Sequence, residues 1–308
     1  MATDAVTGAT SYTGRFIAER LVASGRQVLD LTRSQRSPHP LGDAATSVPL
    51  TFDDPDRLTR SLAGVETLYN TYWLRFERGA VTYPRAIEHS HALFGAARRA
   101  GVHRIVHISV VNASHDAPTA YFRAKAVVEE ALTASGVLHA IVRPTVTFGP
   151  GDILVNNLAW TLRRFPLFGV PGDGRYPIQP VHVEDVAQIA IQAGSLIANA
   201  TIDAAGPEIF AFNDFVALVR AGVVSKARIV HLPVAAALLA ARLIGLLVRD
   251  VVLTRHEVTE LRSRLMFSSA PPAGTMRLGD FLSEHGDTVG RQWASELDRH
   301  FRGRRSSA

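Results

Sequence analysis

Through the first half of the chain, short apolar runs alternate with stretches whose apolar residues recur three and four positions apart. The first run ends at Thr7, and Arg15 to Val22 then reads as a helix with Phe16, Ile17 and Leu21 on one face. The pattern predicts further strands at Gln27–Leu31, Ser47–Phe52, Glu66–Tyr72, Arg104–Val111 and Leu138–Val142. Helices are predicted at Asp56–Leu62, Pro84–Ala100 and Ala120–Ala134, and a surface loop at Ser34–Ser47, where Pro38, Pro40 and Gly42 fall. Helices between strands supply the crossover length that parallel pairing needs. After Pro144 the pattern changes: residues 145–180 are rich in Gly, Pro and aromatics around one helix at about Ile153–Arg164. Val181–Ala198 returns to a helical pattern with Asp185 near its start, Thr201–Ala204 reads as a last strand, and the remainder is mostly helical. The expected fold is therefore α/β, a doubly wound parallel sheet with a smaller, mostly helical C-terminal lobe. The expected division is residues 1–150 plus about 181–205 against 151–180 and 206–308.

The junction of the first strand and helix carries the first chemical signal. Gly8, Thr10, Ser11, Tyr12, Thr13 and Gly14 form a small-residue loop with the spacing G-x-x-G-x-x-G, its middle glycine replaced by Ser11. Small residues let a backbone approach a pyrophosphate closely, and the N–H groups of the following helix N-terminus face the anion. Ser11 can donate its hydroxyl to a phosphate, although its Cβ makes the closest approach harder. Many tight turns share such a loop, but its place after a strand and at the opening of a helix favours nucleotide binding.

Composition narrows the classes. At 308 residues with 47% hydrophobic and 20% charged residues, the chain has the balance of a globular protein with a sizeable core. It has no cysteine, which excludes disulfides and thiolate metal sites. The start lacks a basic and then apolar leader, so a cytoplasmic location is expected. The net charge is +5, almost all of its basic residues are arginine, and these are scattered, so no nucleic-acid partner is expected. The histidines show no metal-binding spacing, and no metal is expected. Val234–Leu253 is long and apolar, but Arg242, Arg249 and Asp250 argue against a membrane span. It reads as a buried helix of the second lobe, with a peripheral membrane contact or a lipid-substrate contact as the alternative.

Tyr121 and Lys125 stand four apart, on one helix face. A tyrosine with its ordinary pKa of about 10 is a poor acid near neutrality. A neighbouring ammonium favours the phenolate and lowers that value. Lys125 and Lys226 are the only lysines, so a lysine at this position goes against the arginine bias. Ser109 is placed at the end of the fifth strand, and strand C-termini in open parallel sheets face the ligand crevice.

Together these motifs resemble the short-chain dehydrogenase/reductase superfamily in its extended or atypical branch. Nearest are NAD(P)H-binding epimerase/dehydratase-like proteins, NmrA-like proteins and the NADPH-binding accessory subunit of respiratory complex I. The resemblance covers about residues 3–205. It implies a seven-stranded parallel sheet and a catalytic Ser109, Tyr121, Lys125 set, with Lys125 also holding the cofactor ribose. It implies that Asp53 lies near the adenine, Asn70 and Thr71 beside the cofactor, and Pro144, Thr145 and Val146 near the nicotinamide. Asp53 could equally cap the helix that follows it, and the other segments could be only sheet edge and turn. Two departures stand out. His89 occupies the helix in which family members often carry an asparagine, and Val110-Val111 replace the acidic pair of sugar-nucleotide dehydratases.

Arg33 follows the second strand where an NAD site usually places an acid, so NADP(H) is favoured over NAD(H). Arg15 and Arg36 could add charge there, and Asp30 is the counter-evidence. Trp160, Arg163, Phe168, Arg175, Tyr176 and Gln179 lie in the stretch that the family folds over the nicotinamide, where arginines suit an anionic substrate and aromatics an apolar one. The expected function is an oxidoreductase, reductase/dehydrogenase or epimerase-like, that moves hydride between NADP(H) and a small carbonyl or alcohol substrate. The alternative is a non-catalytic NADPH-binding subunit or redox sensor.

Overall fold

A computed structural model describes residues 2–33 and 38–301. The chain opens with strand β1 (Thr3–Thr7), helix α1 (Tyr12–Ala23) and strand β2 (Gln27–Thr32). Strand β3 (Ala45–Pro49), helix α2 (Pro55–Ser61), strand β4 (Val65–Asn70) and helix α3 (Tyr83–Arg99) follow. Strand β5 (Arg104–Ile108), helix α4 (Ala120–Ala134) and strand β6 (Leu138–Pro144) complete the run. The chain then forms strand β7 (Val146–Phe148), helix α5 (Leu154–Arg164) and strands β8 (Leu167–Pro171), β9 (Pro177–Ile178) and β10 (Pro180–His182). Helix α6 (Val183–Gly194) and strand β11 (Ala200–Ala204) return to the first sheet. Strand β12 (Phe210–Ala211), helix α7 (Phe212–Gly222), strand β13 (Arg228–Leu232) and helix α8 (Val234–Val248) come next. Helices α9 (Arg255–Arg262), α10 (Leu278–His285) and α11 (Glu296–His300) end the described chain.

The chain divides into two compact units, residues 1–144 with 183–204, and residues 145–182 with 205–308. The first is a seven-stranded, all-parallel sheet in the order β11-β6-β5-β4-β1-β2-β3. α1 packs with α6, and α2, α3 and α4 pack together. Both faces of the central strands are thereby covered, as parallel sheets require. Ala5, Leu31, Leu68 and Ile105 from the strands meet Leu58, Leu93, Phe94 and Val128 from the helices in one apolar cluster. At the start of β5, the fully buried guanidinium of Arg104 donates to the carbonyls of Leu196 and Ala198, fixing the turn after α6. The second unit packs Phe148, Val155, Phe215, Val219 and Phe281 around three two-stranded pairings, β10-β7, β12-β9 and β13-β8. Among the described residues, no helix is long and apolar enough to cross a membrane.

Most elements fall within a few residues of their predicted bounds, and the departures have local causes. β3 stops at Pro49 rather than Phe52 because its partner β2 ends at Thr32, the residue paired with Pro49. Val181 lies in β10, not in a helix, because the backbone of β7 pairs with it. α6 ends at Gly194, against which Tyr69 lies so closely that a Cβ would sit 2.4 Å from its Oη.

The largest correction concerns the apolar run 234–253, expected to be a buried helix. In α8 only Ala237 and Ala241 are buried, while Leu239, Leu243, Leu246 and Leu247 are 59–70% exposed. The helix docks on β8 and β13, and its small alanines make the contact. Hydrophobicity all round the helix hid which face the fold would use.

The turn from β1 into α1 is set by contact. Gly8 has φ +69°, and a Cβ on Gly14 would lie 2.2 Å from the Gly8 carbonyl oxygen. Both glycines are therefore required sterically, whatever binds there. Gly14→Ala is expected to destabilise the fold by about 1–3 kcal/mol, the usual range for forced overpacking. Urea unfolding of wild type and variant measures it.

Candidate active site

The predicted loop Gly8 to Gly14 lies between β1 and α1. Ser11 is the N-cap residue of α1, makes no capping bond with its side chain, and is followed by a first turn without an acidic residue. A helix start of this kind has the positive end of its dipole uncompensated, which suits an anion. Asp30 stabilises the loop from below. It is fully buried, its Oδ1 accepts the Ala9 N–H at 2.7 Å, and its Oδ2 lies 3.3 Å from His39 Nε2. The carboxylate that counted as evidence for NAD is thus occupied inside the protein. Arg33 is exposed at the end of β2, Arg15 lies over the Phe16 ring, and Arg36 falls outside the described residues.

Asn70 and Thr71 belong to a buried network at the C-terminal ends of β1, β4 and β5. Thr7 Oγ1 donates to Asn70 Oδ1 at 3.1 Å and accepts the N–H groups of Thr71 and Tyr72 at 2.7 and 3.0 Å. Thr71 Oγ1 donates to the Thr7 carbonyl at 2.5 Å. Asn70 Nδ2 donates to His107 Nδ1 at 3.0 Å. Burial, and then the field of Lys125, holds His107 well below the ordinary imidazole range, so the ring is neutral with its proton on Nε2. These side chains fix the strand ends rather than face outward.

Beside this network is a cleft of about 520 Å³, lined among others by Phe52, Asp53, Thr82, Arg85, Glu88 and His89. Phe52 stacks on His89 with centroids 4.0 Å apart and planes 7° from parallel. Tyr72 Oη lies 2.8 Å from His89 Nδ1. Burial lowers the His89 pKa and raises that of Tyr72, so both rings are neutral. The positive fields of Arg33 and Arg85 both reach this pair. The helix after Asp53 is capped by Asp54, whose Oδ1 accepts the Arg57 N–H at 2.9 Å. The capping role considered for Asp53 therefore belongs to its neighbour, and Asp53 is exposed at the cleft.

Lys125 reaches the end of β5, where Ser109 follows the strand, and Tyr121 lies one turn earlier on the same helix as Lys125. The strand stops at Ile108, three residues before its expected bound at Val111, and Ser109 follows with its N–H donating to the Val142 carbonyl at 2.7 Å. Its hydroxyl is buried and has no hydrogen-bond partner. Lys125 Nζ donates to the Ile108 carbonyl at 2.9 Å and lies 4.4 Å from the centre of the Trp73 ring. Tyr121, one turn earlier on α4, meets the edges of Trp73 and Tyr83 with centroids 6.2 Å away in each case. Burial lowers the Lys125 pKa to about 7. Glu129 opposes that shift with less effect than burial, and its carboxylate is also bound by Arg143, with Nε to Oε1 at 3.0 Å. The lysine charge invoked to assist Tyr121 is therefore complete only on the acid side of neutrality in the free protein.

Pro144 ends β6 and accepts the Val111 N–H at 3.1 Å. Thr145 has a buried hydroxyl without a partner, and Val146 begins β7. The substrate-side expectations need correction. Arg163 donates to the carbonyls of Gly286 and Val289, and Tyr176 Oη donates to the Pro171 carbonyl at 3.0 Å. Gln179 Nε2 donates to the Gly206 carbonyl at 2.7 Å, and its Oε1 accepts the Ser268 N–H at 2.9 Å. Trp160 is buried against Phe165 and Trp293. These four hold the second unit together. Phe168 is half-buried and Arg175 exposed. The sequence reading missed Phe52, Trp73, Arg85 and His39 as site neighbours. The aromatic that ends the predicted third strand and the Arg85, His89 spacing of four were the available signals. Among the described residues, no group of three or more His, Asp or Glu side chains could hold a metal ion.

The buried Lys125 has a measurable consequence. Between pH 7 and 10 the unfolded chain keeps the lysine proton and the folded chain has released it, so stability rises with pH. The slope contributed by this group approaches about 1.4 kcal/mol per pH unit and vanishes below pH 7, where both states are protonated. Urea unfolding across that range should show this slope in wild type and its loss in Lys125→Met.

Residues 8–151 match the family model for NAD(P)H-binding domains. Over 240 residues the chain is 29% identical to the mitochondrial NADH dehydrogenase [ubiquinone] 1 alpha subcomplex subunit 9 of Arabidopsis thaliana, covering 74% of this chain and 60% of that protein. It is 29% identical to a ceramide reductase of Caulobacter vibrioides over 195 residues, 61% of each chain. The matched stretch thus spans about 60% of these relatives. In fold, it is similar to the Citrobacter sp. triphenylmethane reductase complexed with NADP(H), with a TM-score of 0.74 and 17% identity over 92% of this chain and 99% of that one. Residues 8–151 are thus similar to NAD(P)H-binding domains, and the first unit has the Rossmann-like α/β fold of its structural neighbours.

Proposed function

We propose that the chain is an NADPH-dependent reductase of small carbonyl substrates, with Ser109, Tyr121 and Lys125 as its catalytic set. The observation that carries this reading is the buried, unpartnered hydroxyl of Ser109 beside the carbonyl that binds Lys125. A buried donor without a partner is costly unless a ligand satisfies it.

The residues present fit a dinucleotide. The Gly8–Gly14 turn leaves no room for a Cβ at Gly14, and the start of α1 takes the pyrophosphate. The cleft beside Asp53, Phe52 and His89 takes the adenine end. The positive fields of Arg33 and Arg85 meet there and suit a ribose 2′-phosphate, which favours NADP(H) over NAD(H). The internal use of Asp30 supports the same choice.

When bound, NADPH supplies a hydride to the carbonyl carbon. Ser109 donates a hydrogen bond to the carbonyl oxygen and orients it. Tyr121 gives its phenol proton to that oxygen. Lys125 stabilises the resulting phenolate and holds the ribose hydroxyls. The negative charge of the dinucleotide raises the Lys125 pKa from about 7, so the complex carries the ammonium that the free site only partly retains. Reductases among the relatives and structural neighbours support this chemistry.

A second reading is a non-catalytic NADPH-binding subunit. It is favoured by the relatives named as NADH dehydrogenase alpha subcomplex subunit 9 and by the covering of Lys125 by Trp73.

The test is fluorescence titration with NADPH and NADH, followed by turnover on a panel of aldehydes, ketones and quinones. The enzyme reading expects NADPH to bind at least about tenfold more tightly than NADH, with Arg33→Ala removing most of the difference. It expects Tyr121→Phe to lose about a hundredfold or more of kcat at unchanged NADPH affinity. Tight binding with no turnover on the panel selects the subunit reading, and failure to bind either dinucleotide overturns both.

A further inference from the structure

We propose that α8 is a membrane-surface anchor that seats this protein on anionic phospholipid. The helix sequence, VAAALLAARLIGLLV, has one charged residue, Arg242. Leu239, Leu243, Leu246 and Leu247 recur at intervals of four, three and one, so they share one face, and each is more than half exposed. Four large apolar side chains in one stripe differ from the scattered leucines of an ordinary surface. The opposite face is already used, with Ala237 and Ala241 buried.

Charge selects the partner. From 234 to 264 the arginines in the exposed class are Arg242, Arg249, Arg255, Arg262 and Arg264, and no Asp or Glu of the stretch is exposed to that degree. The acids of the same stretch are turned to internal tasks. Asp250 is buried and accepts from Trp293 Nε1 at 2.9 Å and from the N–H groups of Glu296 and Leu297 at 2.8 and 3.1 Å. Glu257 folds back onto Thr254 in a capping box, and Glu260 is buried. The surface offered is therefore leucine flanked by arginine, the combination that binds acyl chains and anionic headgroups together. The 15 residues of α8 span about 22 Å, too short to cross a hydrocarbon core, so the helix lies in the interface. Arg242 and Arg249 reach the headgroups while their stems stay with the leucines. A second copy of this chain is the poorer occupant, because a two-fold contact through this stripe brings Arg242 toward its own equivalent. The proposal does not rest on the catalytic reading.

Co-sedimentation of the full chain with extruded vesicles tests it. Wild type is expected to pellet with vesicles of phosphatidylcholine and phosphatidylglycerol and to remain largely in the supernatant with phosphatidylcholine alone. The triple variant Leu243→Ser, Leu246→Ser, Leu247→Ser should lose at least about tenfold in vesicle affinity while keeping its thermal midpoint and its NADPH affinity, since these side chains are exposed. Arg242→Gln with Arg249→Gln should lose the preference for the anionic lipid. The proposal is overturned if wild type fails to bind the anionic vesicles or if the leucine variant binds them equally. It also fails if light scattering shows wild type to be a dimer that the leucine variant dissolves.

Discussion

Everything at the cofactor end of the first unit depends on one close approach, that of Gly14 to the carbonyl of Gly8. No side chain fits between them, because even a Cβ would stand 2.2 Å from the oxygen. The contact fixes the start of α1 just above the end of β1. From there the constraint passes through hydrogen bonds in a dry polar layer. Asp30 holds the Ala9 N–H, Thr7 gathers the backbone of Thr71 and Tyr72, and Asn70 links that strand end to His107 on β5. Two residues beyond His107 stands Ser109. One buried network thus links the Gly8–Gly14 turn to the end of β5, while its far edge, at His107 Nε2 and the Ser109 hydroxyl, is left without partners.

Lys125 is the electrostatic counterpart of that network. An ammonium buried beside a backbone carbonyl and an indole face, with the nearby carboxylate of Glu129 bound to Arg143, is held close to neutrality. It reduces fold stability at neutral pH and leaves a group whose charge answers to the next anion brought near. A perturbed group of this kind, reaching the C-terminal end of a parallel strand, marks a candidate site.

The arginine-rich composition has a structural explanation that composition alone did not offer. Arg104, Arg123, Arg163 and Arg164 all donate to backbone carbonyls at the ends of helices or in turns. A planar guanidinium with several donors can satisfy two such carbonyls at once, which a lysine does less well. Several arginines are thus used within the fold, while others, those bordering the leucines of α8 among them, are exposed.

Much of the first unit was legible before any coordinates. A parallel α/β sheet follows from periodicity alone, since strand and helix repeats differ and their alternation dictates crossovers. The bounds of α4 were read to the residue, Ala120–Ala134. The loop glycines and the Tyr121, Lys125 spacing are local facts, and local facts survive in sequence. What sequence could not supply was every relation set by distant partners. Only the fold decided that Asp30 faces inward, that Asp54 rather than Asp53 caps α2, and that Trp73 covers Lys125. It also decided that Arg163 and Tyr176 bind backbone instead of facing a ligand. The clearest case is α8, apolar on every side, for which periodicity carries no direction. Burial there was chosen by the small alanines that fit against β8 and β13, leaving the leucines outside. A chain specifies what each residue can do locally, while tertiary packing assigns which of its faces meets protein and which does not.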